Sequence, residues 1–418
     1  MMPGWAAALA TLAYVCAMFA LAHFGDTRGR AFVNGRARPA IYAFGLAVYC
    51  TSWTFFGSVG LASTTGFDFL PIYIGPFIII GLCYPFVRRL VQLAKAQNTT
   101  SVSDFVAARY GKADKVAVCA TLLCVVGSIP YIALQLKAVA AATSIVIGSI
   151  EAGRLAIADM PAPSLAAPVI LAVFAIAFGT RRIDATVHQD GLMLAVAVES
   201  IVKLFAFLAV GIAVTYMMFD GPVALFDAAR ANSAIREIFL EDNSPLSYGV
   251  MTALSAFAIL LLPRQFHVTV VENRDERDIR TAAWLFPLYL VLINIFVIPL
   301  GIAGLLTFPP GTIDRDMTVL ALPLQGGHQI LAVFVMLGGL SAATAMIVVE
   351  CVALSIMVSN DLVLPFFLRR ARSAIAPGDL GTRLLVLRRL AILGLLALGH
   401  LYLLWANTAG LASIGLIS

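Results

Sequence analysis

Long apolar runs separated by short polar stretches set the pattern of this chain. Runs at about residues 4–24, 40–62, 69–90, 115–149, 164–180, 188–219, 246–263, 281–307, 329–358 and 389–405 suit the roughly 30 Å hydrocarbon core of a bilayer. None shows the alternation of a barrel strand. Each therefore predicts a helix, the element that satisfies its own N–H and C=O groups where no water is at hand. An eleventh run begins at Thr408 and reaches only Ser418. An apolar ending with no polar flank reads as a fragment broken inside a helix.

Composition agrees with the pattern. The chain is 61% hydrophobic and 12% charged, against roughly 45–50% and 25% in a soluble domain, so lipid must be its main solvent. Cys16, Cys50, Cys83, Cys119, Cys124 and Cys351 all lie in apolar runs and read as packing residues, not as a disulfide framework. The run from Trp5 to Phe24 has neither a basic flank before it nor a convincing cleavage site after it, and reads as a retained helix.

Charge then supplies orientation. Most Lys and Arg fall in alternate loops: Arg28 to Arg38, Arg88 to Lys115, Arg181 and Arg182, Arg264 to Arg280, and Arg369 to Arg389. Basic residues in short loops stay on the cytoplasmic side, which places the N-terminus outside. The net charge of +5 is thereby a matter of topology. A nucleic-acid surface, which needs a concentrated basic face, is not indicated. The segment Asp220 to Pro245 is acidic and polar and predicts an external helical or irregular loop. Lys137 and Lys203 remain inside predicted spans.

Several polar groups interrupt the spans. The second contains Tyr49-Cys50-Thr51-Ser52-Trp53-Thr54-Phe55-Phe56-Gly57-Ser58. Hydroxyls and glycine together either unwind a helix into a solute site or allow close helix packing, and pattern alone leaves both open. In the fourth span Ser128, Pro130, Tyr131, Gln135 and Lys137 suggest a cavity wall, with Lys137 pairing with a buried acid, snorkelling or meeting a solute carboxylate. Glu199 and Lys203, four apart, predict a local ion pair. Glu350 has no cation nearby in sequence, and is a candidate for proton coupling or for pairing with Lys137. Ser341 and Thr344 share one helical face, where they either ligate an ion or bond back to main-chain carbonyls. Zinc-helix, nucleophile-elbow and phosphate-loop signatures are missing, so the chain does not read as an enzyme.

The motif Cys50-Thr51-Ser52-Trp53-Thr54-Phe55-Phe56-Gly57, the segment Thr100-Ser101-Val102-Ser103-Asp104-Phe105, and Pro130-Tyr131-Ile132-Ala133-Leu134-Gln135-Leu136-Lys137 together resemble the sodium:solute symporter family. Leu262-Pro263-Arg264-Gln265-Phe266-His267, Glu272-Asn273 and Gly339-Leu340-Ser341-Ala342-Ala343-Thr344 resemble the branch that forms the transporter-like module of membrane sensor histidine kinases. The resemblance implies an all-α integral membrane fold of two inverted LeuT-type five-helix repeats. Residues 1–39 would be an extra helix and cytoplasmic loop, 40–245 the first repeat with its external loop, and 246–418 a second repeat truncated in its last core helix.

It further implies a bacterial inner-membrane location and a small organic solute, such as the amino acid histidine. Thr51, Ser52, Trp53, Gly57, Tyr131 and Gln135 would line its site, with Ala258 and Leu262 replacing the family's substrate-facing aromatics. Sodium or a proton would be the coupling ion, and no other cofactor is expected. Tyr49 stands where sodium-coupled proline carriers have aspartate, and Ala345 and Met346 stand where they have the serine and threonine that ligate sodium. What remains for a weakened site is the carbonyls of Ala47 and Cys50, with Ser341 or Thr344. A fused kinase and a response regulator would be partners beyond this chain, which itself holds no phosphoacceptor or ATP-binding region. The alternative is a receptor that controls such a kinase without transport.

Overall fold

The computed structural model describes residues 3–153, 155, 166–179, 188–240, 244–365 and 377–406. No strand occurs among them. Six helices are each long and apolar enough to cross a membrane, three bent pairs raise the number to as many as nine, and Pro168–Ala177 is a shorter apolar helix. The main helices are α1 (Gly4–Asp26), α2 (Arg38–Leu46), α3 (Ser58–Thr65), α4 (Pro71–Pro76), α5 (Tyr84–Ala96), α6 (Asp114–Ala152), α7 (Ala166–Gly179) and α8 (Asp190–Ala213). They continue with α9 (Pro245–Leu261), α10 (Pro263–Phe266), α11 (Glu276–Asn294), α12 (Val297–Thr307), α13 (Thr318–Gln325), α14 (Gln329–Met357) and α15 (Pro377–Trp405). The segment after Asp220 holds two short helices, Pro222–Ala231 and Ser233–Leu240. The expected last core helix from Thr408 lies outside the described residues.

Packing shows the repeat. Helix α9, which opens the second half, packs on α4 of the first, and α2, which opens the first half, packs on α11 of the second. This reciprocal exchange is what an inverted two-fold relation produces. At the centre, α14 is buried along most of its length between α8 and α6. Its glycines make that approach close: a Cβ at Gly338 would stand 2.4 Å from the Ala206 side chain, and one at Gly339 would stand 2.2 Å from the Phe56 ring.

The Thr100-Ser101-Val102-Ser103-Asp104 segment turns out to be a capping box for the short helix Val102–Arg109. The Asp104 N–H donates to Ser101 Oγ at 3.1 Å, while the Thr100 N–H donates to Asp104 Oδ2 at 3.0 Å. Ser103 and Thr121 hydroxyls then both donate to Asp361 beyond the end of α14.

Ionic contacts tie together the face that carries the basic loops. Arg38 pairs with Asp278 at 2.8 Å and Asp275 at 3.1 Å, Arg88 with Glu276 at 3.0 Å, and Arg274 with Asp190 at 2.5 Å. Glu272 accepts the Gln189 N–H at 3.0 Å and lies 3.6 Å from His188 and 3.4 Å from His267. Burial alone would raise its carboxyl. The two imidazoles more than reverse this, and hold it at about 2.

Candidate functional site

The second predicted span is broken in its middle. Cys50 leaves helical geometry at φ −79°, ψ 96°, and the chain resumes through a wide turn, Trp53–Gly57, before α3. The two halves meet at 67°. A break inside a membrane protein releases main-chain groups that must find partners. Side chains from α6 and from the break itself supply them. The Ser52 N–H donates to Gln135 Oε1 at 3.1 Å, and the Trp53 N–H donates to Thr51 Oγ1 at 3.2 Å. Thr51 Oγ1 also shares a hydrogen bond with the Tyr131 hydroxyl at 2.9 Å. Tyr131 and Gln135, four apart on α6, thus brace the break from one helix face.

The carbonyls of Ala47 and Cys50 both accept from Lys203 Nζ, at 2.8 and 2.6 Å. Lys203 is fully buried. The expected local pair with Glu199 gives way to this arrangement. Glu199 Oε1 accepts from Thr344 Oγ1 at 2.6 Å, and its main-chain carbonyl accepts from Ser341 Oγ at 2.6 Å. Of the residues assigned to a mobile ion, Ala47 and Cys50 do hold a cation, a tethered ammonium, while Ser341 and Thr344 are turned to Glu199. The physical reason is that a buried amine needs close acceptors, and the broken helix offers two carbonyl dipoles together.

A second break opens after α9. Leu262 is extended at φ −61°, ψ 134°, and Pro263, which has no N–H, leaves the Ile259 carbonyl without its helical partner. Arg264 follows at once. Counted by sequence with a cytoplasmic loop, it is instead 3% exposed. Its Nη1 donates to Glu350 Oε2 at 3.1 Å, and its guanidinium lies 4.5 Å from the centre of the Tyr131 ring. Glu350 Oε1 accepts from Ser128 Oγ at 2.5 Å. The pairing of Glu350 with Lys137 is thus replaced: its cation is Arg264, while Lys137 lies near Asp314 and Asp316. A fully buried carboxyl group needs polar partners about it, and Arg264 with Ser128 supplies them.

A cavity of about 570 Å³ lies between the breaks. Tyr49, Trp53 and Thr54 line it from the first, Ala258, Leu262 and Arg264 from the second, and Ser128 and Tyr131 from α6. Of the expected site residues, Trp53, Tyr131, Ala258 and Leu262 are in this wall. Thr51, Ser52 and Gln135 stand behind it and hold the break. Gly57 is also behind it, where the Trp53 indole lies so close that an added Cβ would be 3.3 Å from the ring. Sequence reasoning missed Arg264. The available signal was a proline immediately after an apolar run, which marks a break as readily as an end.

Comparison with family models returns no match, and comparison of the sequence with curated proteins returns none. Among solved structures, the chain resembles a Na+-coupled sialic acid symporter in a substrate-bound, outward-open state. The TM-score is 0.66 over 100% of this chain and 84% of that one, at 15% sequence identity. At such identity the likeness speaks for architecture. The chain is an integral membrane protein with the LeuT-type fold of a secondary symporter.

Proposed function

We propose that the chain is a symporter-like module that binds a small organic solute between the two helix breaks and moves it by alternating access. The convergence of both breaks on one cavity of about 570 Å³ carries this reading, since the volume suits a compact ligand. The ionic contacts of Arg38, Arg88 and Arg274 support a state closed on the face with the basic loops. An amino acid such as histidine is the solute class that the family resemblance suggests. Resemblance to the kinase-linked branch supports a role as the input domain of a sensor histidine kinase in a bacterial inner membrane, with solute occupancy biasing the attached kinase.

Lys203 bears on the coupling ion. Its ammonium occupies the Ala47 and Cys50 carbonyls, and such a cation departs only by losing a proton or swinging away. This favours a proton over sodium at that position. Labelled histidine uptake by the full-length protein in vesicles tests both parts. Uptake should persist when choline replaces sodium and should fall at least tenfold in Trp53→Ala. Uptake lost without sodium would overturn proton coupling, and unchanged kinetics in both Trp53→Ala and Gln135→Ala would move the site elsewhere.

A further inference from the structure

We infer that Arg264 anchors an anionic group of the solute, so that the ligand class is a compact carboxylate with an apolar body; this rests on reading the cavity between the breaks as the solute site. Among the described residues lining that cavity, Arg264 is the one that carries a formal charge. Its Nε is buried without a hydrogen-bond partner, and so is Nε1 of Trp53, a residue 4% exposed in the same wall. An orphaned buried donor stays costly until an acceptor arrives. Two such donors on residues that line one cavity call for acceptor oxygens.

The guanidinium is already oriented for this. Glu350 holds Nη1, the Tyr131 ring lies 4.5 Å away, and Ser128 fixes the second Glu350 oxygen at 2.5 Å. These contacts engage Nη1 of Arg264 and leave Nε without a partner. A carboxylate is the group whose geometry suits a guanidinium edge. Glu350 is itself outside the cavity wall, and its charge is already matched by Arg264. A ligand cation would meet no carboxylate among the described lining residues. Beside the hydroxyls of Thr54, Ser128 and Ser255, much of the remaining wall, including Leu123, Met251, Leu254, Phe257 and Leu261, is apolar and fits a hydrocarbon or aromatic body. An amino acid and a simple carboxylic acid share the recognised group.

The test is equilibrium binding to the purified full-length protein of L-histidine, L-phenylalanine and L-leucine, each beside its decarboxylated amine and its deaminated acid. Acids and amino acids should bind at least a hundredfold more tightly than the matching amines. Whether the deaminated acid equals its amino acid decides between the two sources of the carboxylate. Arg264→Lys keeps the charge but loses the fork, and should weaken carboxylate binding at least tenfold. Because Arg264→Gln alone strands Glu350, the double variant Arg264→Gln/Glu350→Gln removes both charges together. It should bind acid and amine alike.

Amines that bind wild type as well as acids, or a double variant that still prefers acids, would overturn the inference. Ala258→Trp separates this failure from failure of the site itself. It fills the cavity and should abolish binding of every probe. Binding that survives it overturns the cavity reading, and the role of Arg264 with it. Loss in Ala258→Trp beside undiminished acid preference in the Arg264 variants leaves the site standing and sinks Arg264 alone.

Discussion

The two helix breaks solve the same problem with opposite chemistry. At Cys50 the chain exposes carbonyl oxygens, and a cation comes from outside: Lys203, 153 residues further on, donates to them. At Leu262 the broken segment brings its own cation, Arg264, and the counter-charge comes from outside, from Glu350, 86 residues away. Both breaks are therefore neutralised by protein groups. What differs is where the charge sits. The first break keeps its cation behind the cavity wall, on carbonyls that Lys203 takes up, whereas the second carries its cation, Arg264, in the wall itself. The contrast teaches that the same repair of a broken helix leaves one break uncharged toward the cavity and the other charged.

The largest expected effect tests the second break. Arg264→Ala or Glu350→Ala strands a buried charge and should lower stability by about 3–5 kcal/mol, while Arg264→Met with Glu350→Leu should be close to neutral. Thermal unfolding in detergent reads the difference, and a double-variant loss equal to the sum of the single losses would show that no pair exists. Next comes the first break. Lys203→Met leaves the Ala47 and Cys50 carbonyls unsatisfied, at roughly 1–3 kcal/mol each, and vacates a place that a free cation fits. Unfolding of this variant should shift upward with added Na+, as wild type should not. A sodium response in wild type would break the comparison.

Smaller again is Gln135→Leu, which orphans the Ser52 N–H at roughly 1–3 kcal/mol. Tyr131→Phe should cost about 1 kcal/mol, because it removes one hydroxyl and keeps the ring beside Arg264. Scanning both by chemical denaturation ranks backbone repair against side-chain bracing. The last effect lies outside both breaks and is read in acid. Glu272 has its carboxyl held down to about 2, against an ordinary 4.5. The stability it contributes is fully present above the ordinary value and is lost as pH falls through about 2. Glu272→Gln should flatten the acid limb of a stability-pH profile, and a limb unchanged in shape would assign acid sensitivity elsewhere.

The first break was legible because its cause is local: Thr51, Ser52 and Gly57 interrupt an apolar run within a few residues. The second was only half legible. Ala258 and Leu262 were placed in the wall by resemblance, but Arg264 beside the end of an apolar run looks like any loop arginine. Nothing local says that the chain stays in the protein interior after Pro263. The pairing of charges was misjudged for a similar reason. Glu199 and Lys203 are neighbours on one helix, so proximity along α8 predicted a pair, while tertiary packing offered Lys203 two carbonyls and Glu199 the Thr344 hydroxyl.

By itself the sequence determined the spans, their helical nature and the place where the second of them is weak, because the transfer of a segment into lipid depends on that segment's own residues. Which cation meets which carbonyl or carboxylate was decided only by the tertiary structure. Coulomb attraction and hydrogen bonding act through space over a few ångströms, and residues 86 or 153 positions apart become neighbours only when the helices have packed.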